Sequence, residues 1–221
     1  MAATDRTPAD ADRQWFIVGR WQEYEGEARA NLLRIAGIGV FYLVELVNYH
    51  GLRLGPIDMP KIVDLPFHQV VTALAAAWAI ACLGVLLCLK QRVFPAALKY
   101  VSTGCDLLLL SVILAVADGP RSPLVVGYFL VIVLAALRFS LPLVRFATIG
   151  SMLGYLALLG YARWFSERDL RVPRYQQAIL LLALALAGVV LGQVIRRVRE
   201  IARQYAARLE ADKEDRHVSA K

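Results

Sequence analysis

The chain has 221 residues, of which 58% are hydrophobic and 19% charged, with a net charge of +7. Soluble domains are about 45–50% apolar. Here the surplus is gathered into blocks long enough to cross a hydrocarbon core, about 20 residues each, and the mean hydropathy is +0.53. The Lys and Arg flank these blocks instead of lining a polar face, which argues against nucleic-acid binding and assigns them to membrane topology.

Residues Met1–Asp12 are polar and acidic, without the basic stretch and short apolar core of a cleavable signal peptide. Insertion is therefore expected to depend on the first span. Between Arg13 and Arg29 stand Trp15, Phe16, Trp21 and Tyr24 among Arg and Glu, a mixture suited to the headgroup region. This segment reads as a helix that lies on the membrane or leads into the first span.

Six apolar segments follow: Leu32–Tyr49, Phe67–Leu89, Leu98–Ala117, Leu124–Leu137, Val144–Phe165 and Tyr175–Ile195. Lipid offers the backbone no water, so each is expected to bond within itself as a helix. The fourth is the shortest, and reaches Phe139 if Arg138 snorkels to the interface. The loop Gly51–Pro66 holds Pro56, Pro60 and Pro66 and cannot be helical throughout. The links Asp118–Pro123 and Arg138–Pro142 are short, which makes the third, fourth and fifth helices antiparallel neighbours. With the N-terminus inside, only Arg53, Lys61, Arg121, Arg163, Arg168, Arg171 and Arg174 of the 25 Lys and Arg fall outside. That bias predicts both termini in the cytoplasm, in the inner membrane.

The expected fold is thus all-α: a polytopic bundle of six transmembrane helices with a cytoplasmic C-terminal helical extension. It divides into an N-terminal segment 1–30, a membrane domain 31–195, and an extension and tail 196–221.

Within the spans, acids are costly and are candidates for function. Glu45 lies late in the first helix and Asp106 in the third, where a structural bond or cap is expected, with Lys99 two turns earlier. His50 and His68 bracket the first outer loop. With Asp58, Met59 and Glu45 they suggest a metal or a haem, but the spacing matches no standard motif. Neither a metal nor a cofactor is therefore expected, and Glu45, His50, His68 and Asp106 stand as candidates for sensing a ligand or signal. Cys82, Cys88 and Cys105 all fall inside apolar blocks and read as small core residues. No Walker loop, HExxH or nucleophilic triad is present, so no catalytic residue is assigned.

Small-residue pairs at four-residue spacing, Gly150 with Gly154 and Gly188 with Gly192, allow close helix approach, within the chain or in a dimer. From Gly188 a seam of Leu191, Ile195, Val198, Ala202, Tyr205 and Leu209 follows heptad steps out of the membrane. The rival reading of this extension is an amphipathic helix on anionic lipid.

The run Asp106-Leu-Leu-Leu-Leu, then Asp118-Gly-Pro-Arg-Ser-Pro-Leu, Tyr128 and Ala135-Ala-Leu-Arg-Phe139, is similar to the N-terminal membrane region of bacterial sensor histidine kinases and class III nucleotide cyclases. In those proteins a helix like Gln176–Leu209 feeds an output domain. This chain carries no phosphoacceptor, ATP-binding or cyclase domain after it. The resemblance implies a non-enzymatic sensory or scaffold module that works through a second copy or a separate membrane or cytoplasmic effector. The other readings are a small transporter or channel, and an accessory subunit of a larger membrane complex.

Overall fold

The computed structural model describes residues 8–54, 57–61, 63–91, 95, 97–166 and 170–219, with side chains for 24–51, 60–61, 63–91, 95, 97–166, 170–205 and 208. Among the described residues six α-helices run in chain order: α1 (Pro8–His50), α2 (Leu65–Lys90), α3 (Leu98–Val116), α4 (Gly127–Ala136), α5 (Leu141–Trp164) and α6 (Arg174–Ser219). Five contain stretches long and apolar enough to cross a membrane, making this a multi-pass membrane protein. The fourth apolar segment, Pro123–Ala136, falls short of that length, so the six long spans expected from sequence become five and a shorter one. The Pro and Gly of 119–126 explain the shortening: they form two 3-10 turns, Gly119–Arg121 and Pro123–Val126, before α4 begins.

The helix ends follow local chemistry. Gly51, at φ 74°, takes the left-handed conformation that ends α1, and its N–H returns to the carbonyl of Val47. The Asp64 side chain caps α2 by accepting from the N–H of Phe67, with a proline in the first turn. Between α1 and α2 the chain adds a detail the all-α expectation lacked, an antiparallel pair β1 (Leu52–Leu54) and β2 (Ile57–Met59), in register Leu52 to Met59. The Trp15–Trp21 region belongs to α1 itself, so the boundary expected at residue 30 falls inside one continuous helix; the Trp15, Phe16 and Trp21 side chains lie outside the described residues.

Side-chain contacts fix the directions. Tyr24 reaches the carbonyl of Leu89 and Tyr42 pairs with Thr72, so α1 and α2 are antiparallel. Ser111 meets Tyr128, while Arg138, just past α4, reaches the Lys99 carbonyl at the start of α3. The chain from Gly119 to Arg138 thus returns along the whole of α3, short as α4 is. The main core lies among α3, α4, α5 and α6, with Leu114, Tyr128, Ile132, Leu143, Tyr155 and Leu184 at its centre.

The glycine pairs serve this packing. A Cβ at Gly150 would overlap Leu107 of α3, one at Gly154 would meet Tyr128 and Ser111, one at Gly188 would overlap Thr148 of α5, and one at Gly192 would press on Leu141. All four faces are filled by the chain's own helices. Gly188→Leu is expected to lower stability by about 1–3 kcal/mol, because Thr148 is itself held by its bond to the Val144 carbonyl. Unfolding in mixed micelles measures this, and a change below about 0.5 kcal/mol would show that α6 is free to move away from α5.

Candidate functional site

Two polar stripes build the centre of the molecule. On α1, Glu27, Asn31 and Arg34 recur at helical spacing on one face, and all three are buried. On α3 the matching stripe is Ser102, Thr103 and Asp106, also buried. The Arg34–Asp106 ion pair joins them directly, and Arg138, just past α4, bridges them by pairing with Glu27 and bonding Ser102 and Thr103.

The first pair is central. Asp106 lies at the middle of α3 and receives Arg34 Nε at 2.8 Å from Oδ1 and 2.9 Å from Oδ2. Trp78 of α2 donates its indole N–H to Oδ1 at 2.8 Å. Arg34 Nη1 donates to Asn31 Oδ1 at 2.8 Å, and Asn31 in turn donates to the Cys82 carbonyl at 3.1 Å. The cluster ties α1, α2 and α3 together. Asp106 is thus engaged in structural bonding, by Arg34 and Trp78.

The second pair lies at the Lys99 end. Arg138 Nη2 donates to Glu27 Oε1 at 2.8 Å, and Nε stands 2.7 Å from Oε2, close enough for an ion pair but not aligned as a hydrogen bond. Arg138 also donates to Thr103 Oγ1 at 2.6 Å, to Ser102 Oγ at 3.1 Å and to the Lys99 carbonyl at 3.3 Å. The condition on which the fourth segment would reach Phe139, a snorkelling Arg138, is not met: Arg138 turns inward to meet Glu27. The left-handed backbone of Phe139 (φ 48°) makes the reversal, sending Arg138 into the bundle and leaving the Phe139 ring exposed. Arg199, on the extension of α6, donates to the Phe139 carbonyl.

At the opposite end Glu45 Oε1 lies 2.9 Å from His68 Nδ1, and the His68 ring stacks on Tyr49 with centroids 3.9 Å apart. Lys61 Nζ covers Tyr49 at 4.6 Å from the ring centroid. His50 instead bonds its own helix at the Leu46 carbonyl and meets Tyr49 edge-on. The two histidines share Tyr49 between them and are not brought together. Among the described residues no three His, Cys, Asp or Glu converge on a possible metal position; the Asp58 and Met59 side chains lie outside the described residues.

The seam expected on α6 divides. Gly188, Gly192 and Ile195 (2% exposed) face the chain's own bundle, whereas Val198 (43%), Ala202 and Tyr205 (67%) are exposed beyond it; the Leu209 side chain lies outside the described residues. Of the two readings of this seam, Gly188, Gly192 and Ile195 take the helix-packing one, and its exposed part begins after Ile195.

Glu27, Asn31, Arg34, Trp78, Ser102, Thr103 and Arg138 were not singled out from sequence as site residues. The signal was present as the i, i+4, i+7 spacing of Glu27, Asn31 and Arg34, which puts an acid and a base on one face of a helix entering the membrane. Compared with known proteins, the chain matches no family model, no curated protein sequence and no solved structure.

Proposed function

We propose that this protein is a non-enzymatic sensory or scaffold module of the inner membrane, with six crossings and both termini in the cytoplasm, passing changes in the bundle to a second copy or an effector through α6. One observation carries the reading: Arg199 on the α6 extension holds the Phe139 carbonyl, and the adjacent Arg138 is the centre of the buried network with Glu27, Ser102 and Thr103. A shift of α1 or α3 that moves Arg138 also moves the turn that Arg199 grips.

The extension is suited to the output. α6 has 46 residues, or about 69 Å at 1.5 Å per residue, more than twice a hydrocarbon core. The sixth crossing is supplied by Gly119–Arg138, which returns along α3 although α4 is short.

Single cysteines placed in a chain lacking Cys82, Cys88 and Cys105 test the reading. Crosslinks between copies are expected at Val198, Ala202 and Tyr205 and not at Ile195. A separate effector is indicated if these positions crosslink to another protein instead. Absence of both kinds of crosslink would overturn the output role of α6.

A further inference from the structure

Between α1, α2, α3 and α4 lies a cavity of about 340 Å³, within the range of small-molecule sites, roughly 300–1,000 Å³. Its walls are apolar apart from a few groups. Arg34, Trp78 and Asp106 close it at mid-depth, and Tyr42 and Glu45 line it toward the His50 end. Its α4 wall includes Leu130 and Val133, both exposed, so it opens sideways toward the hydrocarbon.

Of the buried side-chain atoms without a hydrogen-bond partner among the described residues, two belong to residues that line this cavity. One is Nη2 of Arg34, on a side chain 4% exposed; the other is Oε2 of Glu45, on a side chain 10% exposed. Both residues line the cavity. Eleven helical residues separate them, or about 16 Å at 1.5 Å per residue. A buried donor left unmatched in an apolar site is costly, and in a membrane no bulk water reaches mid-depth to satisfy it.

The charge arithmetic selects the ligand. Asp106 already neutralises Arg34, so what Nη2 offers is a hydrogen-bond donor and not a spare charge. A carboxylate or phosphate would bring an uncompensated negative charge into an apolar cavity. A neutral carbonyl would accept the bond without that cost. We infer that this cavity binds an uncharged, chain-bearing carbonyl compound, its carbonyl oxygen on Arg34 Nη2 and its chain along α1 toward Glu45. Such a carbonyl is supplied in membranes by a quinone ring or by the ester of an acylglycerol. If the sensory reading holds, this compound is the signal; the binding itself rests on the cavity alone.

The 221-residue chain in nanodiscs of ether-linked phosphatidylcholine, which brings no ester carbonyl of its own, with Trp15, Trp21 and Trp164 replaced by Phe, reports on the cavity through the remaining Trp78. Decylubiquinone is expected to quench Trp78 saturably, and monoolein to displace it or to raise the melting temperature on its own. Quenching without competition or thermal shift from monoolein assigns the site to a quinone ring. Monoolein acting while the quinone does not quench assigns it to an ester. Gly37→Leu supplies the control. A Cβ at Gly37 meets nothing within 4 Å, so the longer side chain fills the cavity without disturbing its walls. It is expected to weaken binding at least tenfold, with the ligand-free melting temperature unchanged or raised.

The proposal is overturned if neither probe binds, if Gly37→Leu binds as the native chain does, or if oleate binds more tightly than both neutral probes. It is also overturned if cysteines at Leu130 and Val133 crosslink two copies, because a second chain would then occupy the groove. Saturable binding that leaves the Val198 crosslink yield unchanged would keep the site and overturn the signalling role.

Discussion

An Arg138→Leu chain is expected to lose about 3–5 kcal/mol of stability, the range for removing one partner of a buried ion pair. The loss comes less from the bonds Arg138 makes than from what it leaves behind. Glu27 is fully buried, and its carboxylate would retain only the 3.2 Å bond from Ser102. Ser102 and Thr103 would be less affected, because each keeps an acceptor for its single hydroxyl proton: Glu27 or the Lys99 carbonyl for Ser102, and the Lys99 carbonyl for Thr103. The double variant Glu27→Leu/Arg138→Leu is therefore expected to recover most of the loss, since an apolar pair replaces a matched charge pair at little net cost. Unfolding of the native chain, the two single variants and the double variant in mixed micelles closes the cycle. A coupling energy below about 0.5 kcal/mol would show that Glu27 and Arg138 do not interact in the folded protein. The Arg138→Leu chain, if it inserts, is also expected to lose the Val198 crosslink, because Arg199 would grip a turn no longer anchored inside the bundle.

Asp106→Leu is expected to cost a similar amount, about 3–5 kcal/mol, by a different route. Arg34 keeps its bond to Asn31 but becomes an unpaired cation at mid-bundle, and the Trp78 indole loses its acceptor. The bond from Asn31 to the Cys82 carbonyl then alone holds that level of α1 to α2. Asp106→Asn retains one acceptor oxygen and is expected to cost less than Asp106→Leu. Equal losses for the two would show that charge, not hydrogen bonding, dominates at Asp106. Glu27 and Arg34 sit seven residues apart on α1, about 10 Å, but Arg138 interacts electrostatically with both Arg34 and Asp106, so the losses at the two ion pairs are expected to depart from additivity. Trp78 emission serves as a second readout for Asp106→Leu: it should shift as the indole N–H is freed, whereas Arg138→Leu should leave it unmoved.

Composition alone determined the class of this protein. In lipid only helices and closed β-barrels satisfy the backbone, and continuous apolar blocks of about 20 residues, unlike the short alternating strands of a barrel, fit helices. Gly119, Pro120, Pro123 and Pro142 marked the ends of the fourth segment, although not that the 3-10 turns would shorten its helix. The acids were legible as expensive, and Asp106 and Glu45 both proved to be paired.

Their partners could not be read from the sequence, because pairing depends on which helices are neighbours and in which direction they run. Arg34 and Arg138 looked like topology markers at the ends of spans, the usual place for an arginine. Only the antiparallel return of α4 along α3 brings Arg138 back to Glu27, 111 positions away in the chain. The seam on α6 has the same lesson. Its heptad steps are uniform from Gly188 to Leu209, yet α5 claims the first part, and the rest is left exposed because α5 begins only at Leu141, level with Gly192. Periodicity tells which residues share a face; tertiary packing decides whether that face is already occupied.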